Sequence, residues 1–291
     1  MNDYHETVMV DEVVNSLNIK KGSQYIDGTL GNGGHALEIL KLGGKVLGID
    51  LDKAMIEISE KRLSDYGDSF KAVNGNFKDI DVIASENGFT NVEGIILDLG
   101  VTNIHLKDLE RGFSFGNPDA ILDMRISVDT QGVKACDLLN VLREDQLREM
   151  FEVTLEPGPA KWISGRVLHS RNEKPISTVG DMLEICEGLK IGKPGISEAT
   201  LPFLALRIAV NTELENLEEV LPKAFNLLAK NGIFSVISFH SKEDIIVKSF
   251  FKEKSLEGAK LITYKPLTAG VNEVAVNRKS RSAKMRVIQK N

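Results

Sequence analysis

Asp27-Gly28-Thr29-Leu30-Gly31-Asn32-Gly33-Gly34-His35 decides the fold. The apolar, β-rich run that enters it, residues 23–30, reads as a strand leading into a turn whose four glycines let backbone approach a ligand closely. A helix pattern follows, so the turn also exposes N–H groups at a helix start. Working outward, residues 44–52 (GKVLGIDLD) form a second strand carrying Asp50, and residues 53–66 a charged amphipathic helix. Residues 70–73 form a short third strand ahead of Asn74-Gly75-Asn76, and residues 92–100 (VEGIILDLG) an apolar fourth carrying Asp98. Strand and helix alternating at this spacing predict βαβ units and a parallel sheet buried on both faces.

After Gly100 the alternation stops. Residues 112–202 show no buried strand, and helical patterns cover 135–140, 144–153, 162–171 and 179–187, separated by prolines and glycines. The rhythm then resumes with a helix over 213–230, which Asn231-Gly232 is expected to cap. A strand over 232–240, a helix over 242–254 and strands over 260–265 and 283–289 complete the pattern. The organisation expected is one α/β domain built from residues 1–111 and 206–291, interrupted by a helical insert, 112–205, assigned to substrate recognition. Two sequential domains fit less well, because the C-terminal pieces supply too few strands for a sheet of their own.

The chain has 291 residues, a net charge of −6 and 42% hydrophobic residues, ordinary globular composition that excludes disordered and fibrous classes. No apolar run has the roughly 18 to 20 residues of a spanning helix, and the N-terminus lacks a signal-peptide pattern, so a cytoplasmic protein without membrane contact is expected. Cys136 and Cys186 have no metal-ligand spacing and read as core residues. His5 and His169 are isolated, and no metal site is expected. Monomer and homodimer both remain open. The acidic total opposes a nucleic-acid partner only as a sum. From Val274 to Asn291 there is no acidic residue, and Arg278, Lys279, Arg281, Lys284, Arg286 and Lys290 are all positive. Lys161, Arg166, Arg171 and Lys174 make a second basic stretch in the insert. Local basic strips suit phosphate contact, although a solvated basic tail would look the same.

Ligands of open α/β sheets bind outside the carboxyl ends of the strands, where the glycine turn, Asp50 and Asp98 all fall. The glycine order is G-x-x-G-x-G-G rather than the dinucleotide G-x-G-x-x-G, which weakens a nicotinamide reading. A nucleoside ligand without a pyrophosphate fits better, with Asp50 on the ribose, and S-adenosylmethionine is the commonest such ligand.

HETVMVDEVV, DGTLGNGGHALEIL, GIDLD, ILDLGVTNIHL, ERGFSF, LDMR, ALRIAVNTELENLE, VISFHSKEDIIVKSFF and RSRSAKMRV occur in that order and span nearly the whole chain. They resemble the blocks of the rRNA small subunit methyltransferase H, or MraW, family. The resemblance implies a class I S-adenosylmethionine-dependent methyltransferase fold, Rossmann-like, with a mostly parallel seven-stranded sheet and an inserted helical domain. It implies methylation of the exocyclic N4 of a cytidine in 16S ribosomal RNA near the decoding centre of the small subunit, so that rRNA is the expected partner. It implies cofactor contacts from Gly31, Gly33, Gly34, His35, Asp50, Phe77 and Asp98, and from His105, which stands where the family has glutamine in V-S-S-P-Q. The insert departs furthest: the family's Y-G-E-E-R-x-A-R-R-I block is LEPGPAKWISGRV here, keeping Arg166.

Amino-methylating enzymes often carry [DNS]-P-P-[YFW] after the fourth strand; here that position reads Asp98-Leu99-Gly100-Val101. Asp98 is therefore the candidate acceptor orienting the amino group, and His240, at the end of the fifth strand, a second candidate on the same rim. Arg166, Arg171, Arg278, Arg281 and Lys284 are the RNA-binding candidates. Trp162 and the phenylalanines of ERGFSF could stack on an extruded base or serve only as core. Two other readings remain: a non-catalytic RNA-binding or ribosome-assembly module that keeps a cofactor pocket, and a nicotinamide-dependent oxidoreductase, which a cofactor titration would separate from a methyltransferase.

Overall fold

A computed structural model of the chain describes residues 7–191, 195 and 197–291, the side chain of Asn103 excepted; His5 lies outside them. The chain divides into two compact units, Met1–Gly100 with Leu214–Asn291, and Val101–Glu213. The division thus falls at 100/101 and 213/214, where the sequence reading put 111/112 and 205/206.

The first unit holds seven strands: β1 (Gln24–Asp27), β2 (Lys45–Asp50), β3 (Phe70–Asn74), β4 (Val92–Asp98), β5 (Leu228–Ser238), β6 (Lys260–Leu261) and β7 (Lys284–Gln289). Their order is β3-β2-β1-β4-β5-β7-β6, parallel throughout except that β7 runs antiparallel to β5 and β6. This is the seven-stranded, Rossmann-like sheet of class I methyltransferases. The order reverses between β1 and β4, so the ends of these two strands flank the switch point where such sheets bind ligands.

Successive residues of a strand face opposite sides, and the core divides accordingly. Ile26, Leu47, Ile95 and Leu97 pack with the helices Ile80–Glu86, Glu213–Leu227 and Ser241–Leu256. Tyr25, Val46 and Ile96 pack on the other side with Val10–Leu17, Gly34–Lys41 and Lys53–Arg62. Each fully buried side chain of this size contributes about 1.5–3 kcal/mol, enough together to hold the strand ends, and the polar groups on them, in fixed register.

Four elements differ from the sequence reading. The helix expected over 213–230 ends at Leu227, and β5 begins at the next residue. Asn231 adopts φ 65°, the β4 register shifts between Val92 and Gly94, and Asn231-Gly232 forms an irregularity inside the strand rather than a cap. Lys290 supplies what the cap would have: its Nζ donates to the carbonyls of Asn226 and Leu228, and its backbone pairs with Asn231 and Gly232. β6 is only two residues long, where six were expected. The helix expected from Trp162 begins at Pro157, since proline at the first helical position lacks only an N–H that would have no helical acceptor anyway.

The second unit is helical, with Ala135–Val141, Glu144–Glu152, Pro157–Glu173, Val179–Cys186 and Thr200–Asn211 around a core of its own that includes Leu139, Phe151, Ile163, Met182 and Leu206. Its extended pairing among the described residues is the single bridge Ile121–Thr178. Cys136 and Cys186 are buried in this core as free thiols, and burial raises the Cys186 pKa to about 12. Among the described residues no helix is long and apolar enough to cross a membrane.

Candidate functional site

The glycine turn is fixed to the sheet by its own backbone. Gly28 N–H donates to the Ile96 carbonyl at 2.9 Å, Leu30 N–H to Ile49 at 2.9 Å and Gly33 N–H to Leu30 at 2.8 Å. Arg62 clamps the far side, donating to the backbone and side-chain oxygens of Asn32 at 3.0 and 2.9 Å. Gly31 and Gly33 adopt φ 50° and 79°, in the left-handed region where a side chain is strained. Protein packing also accounts for glycine at three positions: an added Cβ would lie 2.5 Å from Leu97 at Gly28, 2.8 Å from Leu63 at Gly33, and against the Thr7 hydroxyl at Gly34. Close approach to the protein itself, not only to a ligand, therefore requires these glycines.

Three carboxylates converge on this turn from the ends of adjacent strands. Asp50, ending β2, accepts from Gly31 N–H at 2.7 Å and Asp52 N–H at 2.8 Å, which orients its half-buried carboxylate toward the turn. Asp98, ending β4, is tied down through its backbone N–H, which donates to the Thr29 hydroxyl at 2.6 Å. Its Oδ1 is buried and has no hydrogen-bond partner among the described residues. Asp27, ending β1, is 1% exposed; Oδ1 accepts from Thr29 N–H at 3.2 Å, and Oδ2 has no partner among the described residues. Burial is the main reason its pKa rises to about 6, assisted by the negative charges of Asp98 and Asp50 and opposed by His35 and the Thr29 N–H.

His35 lies in the first turn of the helix Gly34–Lys41. Its ring is buried, neither nitrogen has a hydrogen-bond partner among the described residues, and Nε2 stands 3.6 Å from Asp98 Oδ2, an electrostatic contact longer than a hydrogen bond. Burial works against the charged ring, but Asp98, Asp27 and Glu273 outweigh it and hold its pKa above the ordinary value. Unpaired buried polar atoms cost about 1–3 kcal/mol each, so a cluster of them on Asp27, His35 and Asp98 marks a place where stability yields to ligand binding. The cluster offers carboxylates to a cation and, from His35 and the helix start, positive potential to an anion. Phe77 begins the turn after β3, and its Cβ is 3.8 Å from a Cβ built on Gly28.

The structure thus brings together Gly31, Gly33, Gly34, His35, Asp50, Phe77 and Asp98. Asp27 joins them without an assignment from sequence pattern; its position at the end of β1, like Asp50 and Asp98 on their strands, is the signal that marks it. His105 belongs to the helical unit, buried, stacked on Phe113 at 5.5 Å, with Thr102 N–H 3.3 Å from its Nδ1. His240 precedes the helix Ser241–Leu256, whose Glu243 carboxylate accepts from Phe239 N–H at 2.8 Å and His240 N–H at 3.3 Å. Its ring Nε2 is 3.2 Å from Glu243 Oε1 without hydrogen-bond alignment.

The basic candidates separate by what they touch. Lys284 lies 3.5 Å from Asp244, the carboxylate that Arg286 also grips at 2.6 Å. Arg171 donates to the carbonyls of Leu139 and Leu142 at 2.8 and 2.7 Å, closing the end of the helix Ala135–Val141. Arg166 is exposed and lies 5.4 Å over the Trp162 ring. Arg278 and Arg281 are exposed on a short 3-10 turn.

Comparison with known proteins adds the lineage. The model of the MraW methylase family matches residues 2–291. A Geobacter sp. (strain M21) protein named Ribosomal RNA small subunit methyltransferase H is 39% identical over 317 residues, covering 100% of both chains. A Sulfurihydrogenibium sp. protein of the same name is 40% identical, covering 97% of this chain and 98% of its own. Among solved structures, one from Streptococcus mutans, described as a methyltransferase in complex with SAH, aligns with a TM-score of 0.50 at 12% identity, covering 98% of this chain and 99% of that one, a likeness of fold alone.

Proposed function

The chain belongs to the MraW methylase family, and from that premise we propose that it methylates the exocyclic N4 of a cytidine in 16S ribosomal RNA, near the decoding centre, using S-adenosylmethionine. The coarser statement, an S-adenosylmethionine-dependent rRNA methyltransferase, follows from the family and from full-length relatives of that name. The observation that supports the site is the set of unpartnered buried atoms on Asp27, His35 and Asp98 beside a carboxylate, Asp50, at a strand end. S-adenosylmethionine carries an ammonium, a sulfonium, a carboxylate and a ribose diol, and this set of side chains offers an opposite partner to each. Asp27 and Asp98 suit the cations, His35 and the helix start suit the carboxylate, and Asp50 suits the diol.

Bound there, the cofactor would supply an electrophilic methyl carbon, leaving the protein to position the nucleophile. The lone pair of a cytosine amino group is delocalised into the ring. An acceptor on one of its N–H bonds returns electron density to nitrogen, and Asp98 Oδ1, buried and unpartnered, is the acceptor assigned to that task. The helical unit is assigned to RNA recognition, with Arg166, while Arg278 and Arg281 contribute from the C-terminal strip. Arg171 and Lys284 act within the fold instead.

The test is transfer of labelled methyl from S-adenosylmethionine to naked 16S rRNA, precursor particles and finished small subunits. Label in the RNA of at least one substrate supports the proposal. No label in any of the three, from protein that binds the cofactor, would leave the non-catalytic assembly reading.

A further inference from the structure

Trp162 is the only tryptophan of the chain, and it is 40% exposed. The fully buried residues of its helix, Pro157–Glu173, are Ala160, Ile163, Ser164 and Val167, and the indole lies beside them with two-fifths of its surface open. The exposed stripe of the same helix runs through Gly158, Lys161, Trp162, Gly165, Arg166 and His169, spaced three and four residues apart and so aligned along one face. A tryptophan left at the surface forgoes the burial its size would gain, which makes its placement informative.

The surroundings of the ring are those of a stacking site. The Arg166 guanidinium lies 5.4 Å from the ring centroid and is itself held by a 2.9 Å hydrogen bond to the Glu184 carbonyl. Beyond their chain neighbours and their own helix backbone, Gly158 and Gly165, one turn to either side, meet no described atom within 4 Å of the position a Cβ would take, so the ground beside the ring is open. Lys161, next to the ring in sequence, is also exposed. An aromatic face with fixed and mobile cations beside it is the combination that binds unpaired nucleotides, the ring taking the base and the cations the phosphates.

Resting on the rRNA reading above, we propose that this face of the helix is a docking platform for single-stranded RNA, with one unpaired base stacked on Trp162 and its flanking phosphates met by Lys161 and Arg166.

A single tryptophan makes the protein its own reporter. The full-length protein is titrated with an oligouridylate of about 12 nucleotides, within the ~4–16 typical of single-stranded sites, and with an RNA duplex of equal length. The expected result is quenching of tryptophan emission by the single strand and not by the duplex. Trp162→Ala, followed by anisotropy of a labelled strand, should bind roughly 5- to 150-fold more weakly, the range for loss of one stacked base, and Trp162→Phe should restore most of the affinity. Absence of quenching at saturating RNA, equal quenching by duplex, or unchanged affinity in Trp162→Ala would each overturn the platform. So would quenching by RNA-free ribosomal proteins alone. None of these results touches methyl transfer, so failure of the platform is distinguishable from failure of the methyltransferase reading.

Discussion

Replacing Asp27 with Asn removes a buried charge whose cost can be worked from the structure. The carboxyl is 1% exposed, keeps one hydrogen bond, from Thr29 N–H, and leaves Oδ2 unpaired. Its pKa in the folded protein rises from 3.8 to about 6, chiefly through burial. The sign follows from the direction. Well below pH 3.8 the group is protonated in folded and unfolded chains alike and costs nothing through ionisation. Between pH 4 and 6 the unfolded chain releases its proton first, so folding stability falls. Above about pH 6 the loss is complete and constant. At 1.36 kcal/mol per pH unit, the whole loss comes to about 3 kcal/mol. Asparagine cannot ionise, so the stability of Asp27→Asn relative to the unaltered protein should rise by about 2.4 kcal/mol between pH 4 and pH 7, whatever its offset at pH 4.

Thermal melts of cofactor-free protein at half-unit intervals from pH 4 to 8 would show this. At roughly 2–4 °C per kcal/mol for a protein of this size, the difference in Tm should widen by roughly 5–10 °C in favour of the variant and then level off. The same variant should bind S-adenosylmethionine more weakly, because a cationic group loses its carboxylate, giving the trade of function for stability expected at a ligand site. A Tm difference that stays flat with pH, or one that moves toward the unaltered protein as pH rises, would refute the reasoning.

Three further outcomes follow from other parts of the molecule. Asp98→Ala should lower kcat by about 100-fold or more with little change in KM for RNA, read from single-turnover transfer at saturating cofactor. Arg171→Ala leaves the Leu139 and Leu142 carbonyls without their donor and should cost about 1–3 kcal/mol, measured as a lower urea midpoint, with no fall in RNA affinity for folded protein. The double variant Arg278→Ala, Arg281→Ala should reduce the slope of log K against log salt by about 1–2 in an RNA titration, whereas Lys284→Ala, whose ammonium lies 3.5 Å from Asp244, should leave it nearly unchanged.

The features legible in the sequence were those set by local pattern. The apolar runs of β1, β2 and β4, the glycines between β1 and its helix, and Asp50 and Asp98 on their strands can all be read without knowing what packs against them. What escaped reading depends on partners distant in the chain. Asn231-Gly232 has the composition of a helix cap, yet the cap is Lys290, about sixty residues further on, and no local pattern announces that. Lys284 and Arg286 look like free cations until the fold brings Asp244 beside them. Pro157 and Pro159 read as breakers because proline interrupts helices, but at a helix start the same ring fits. Asp27 stood inside the most conspicuous motif of the chain, but its importance lies in total burial with one oxygen unpaired, which is a property of the packing around it.

The identity of the atom that receives the methyl group can be read directly. Small-subunit particles are incubated with the protein and isotopically labelled S-adenosylmethionine, and the 16S rRNA is digested to nucleosides and resolved by mass spectrometry against standards for N4-methylcytidine, C5-methylcytidine and 2′-O-methylcytidine. Label is expected in N4-methylcytidine, abolished or strongly reduced with Asp98→Ala. Label in C5-methylcytidine, in a ribose methyl or in a purine would contradict it, because Asp98 would then have no amino group to orient.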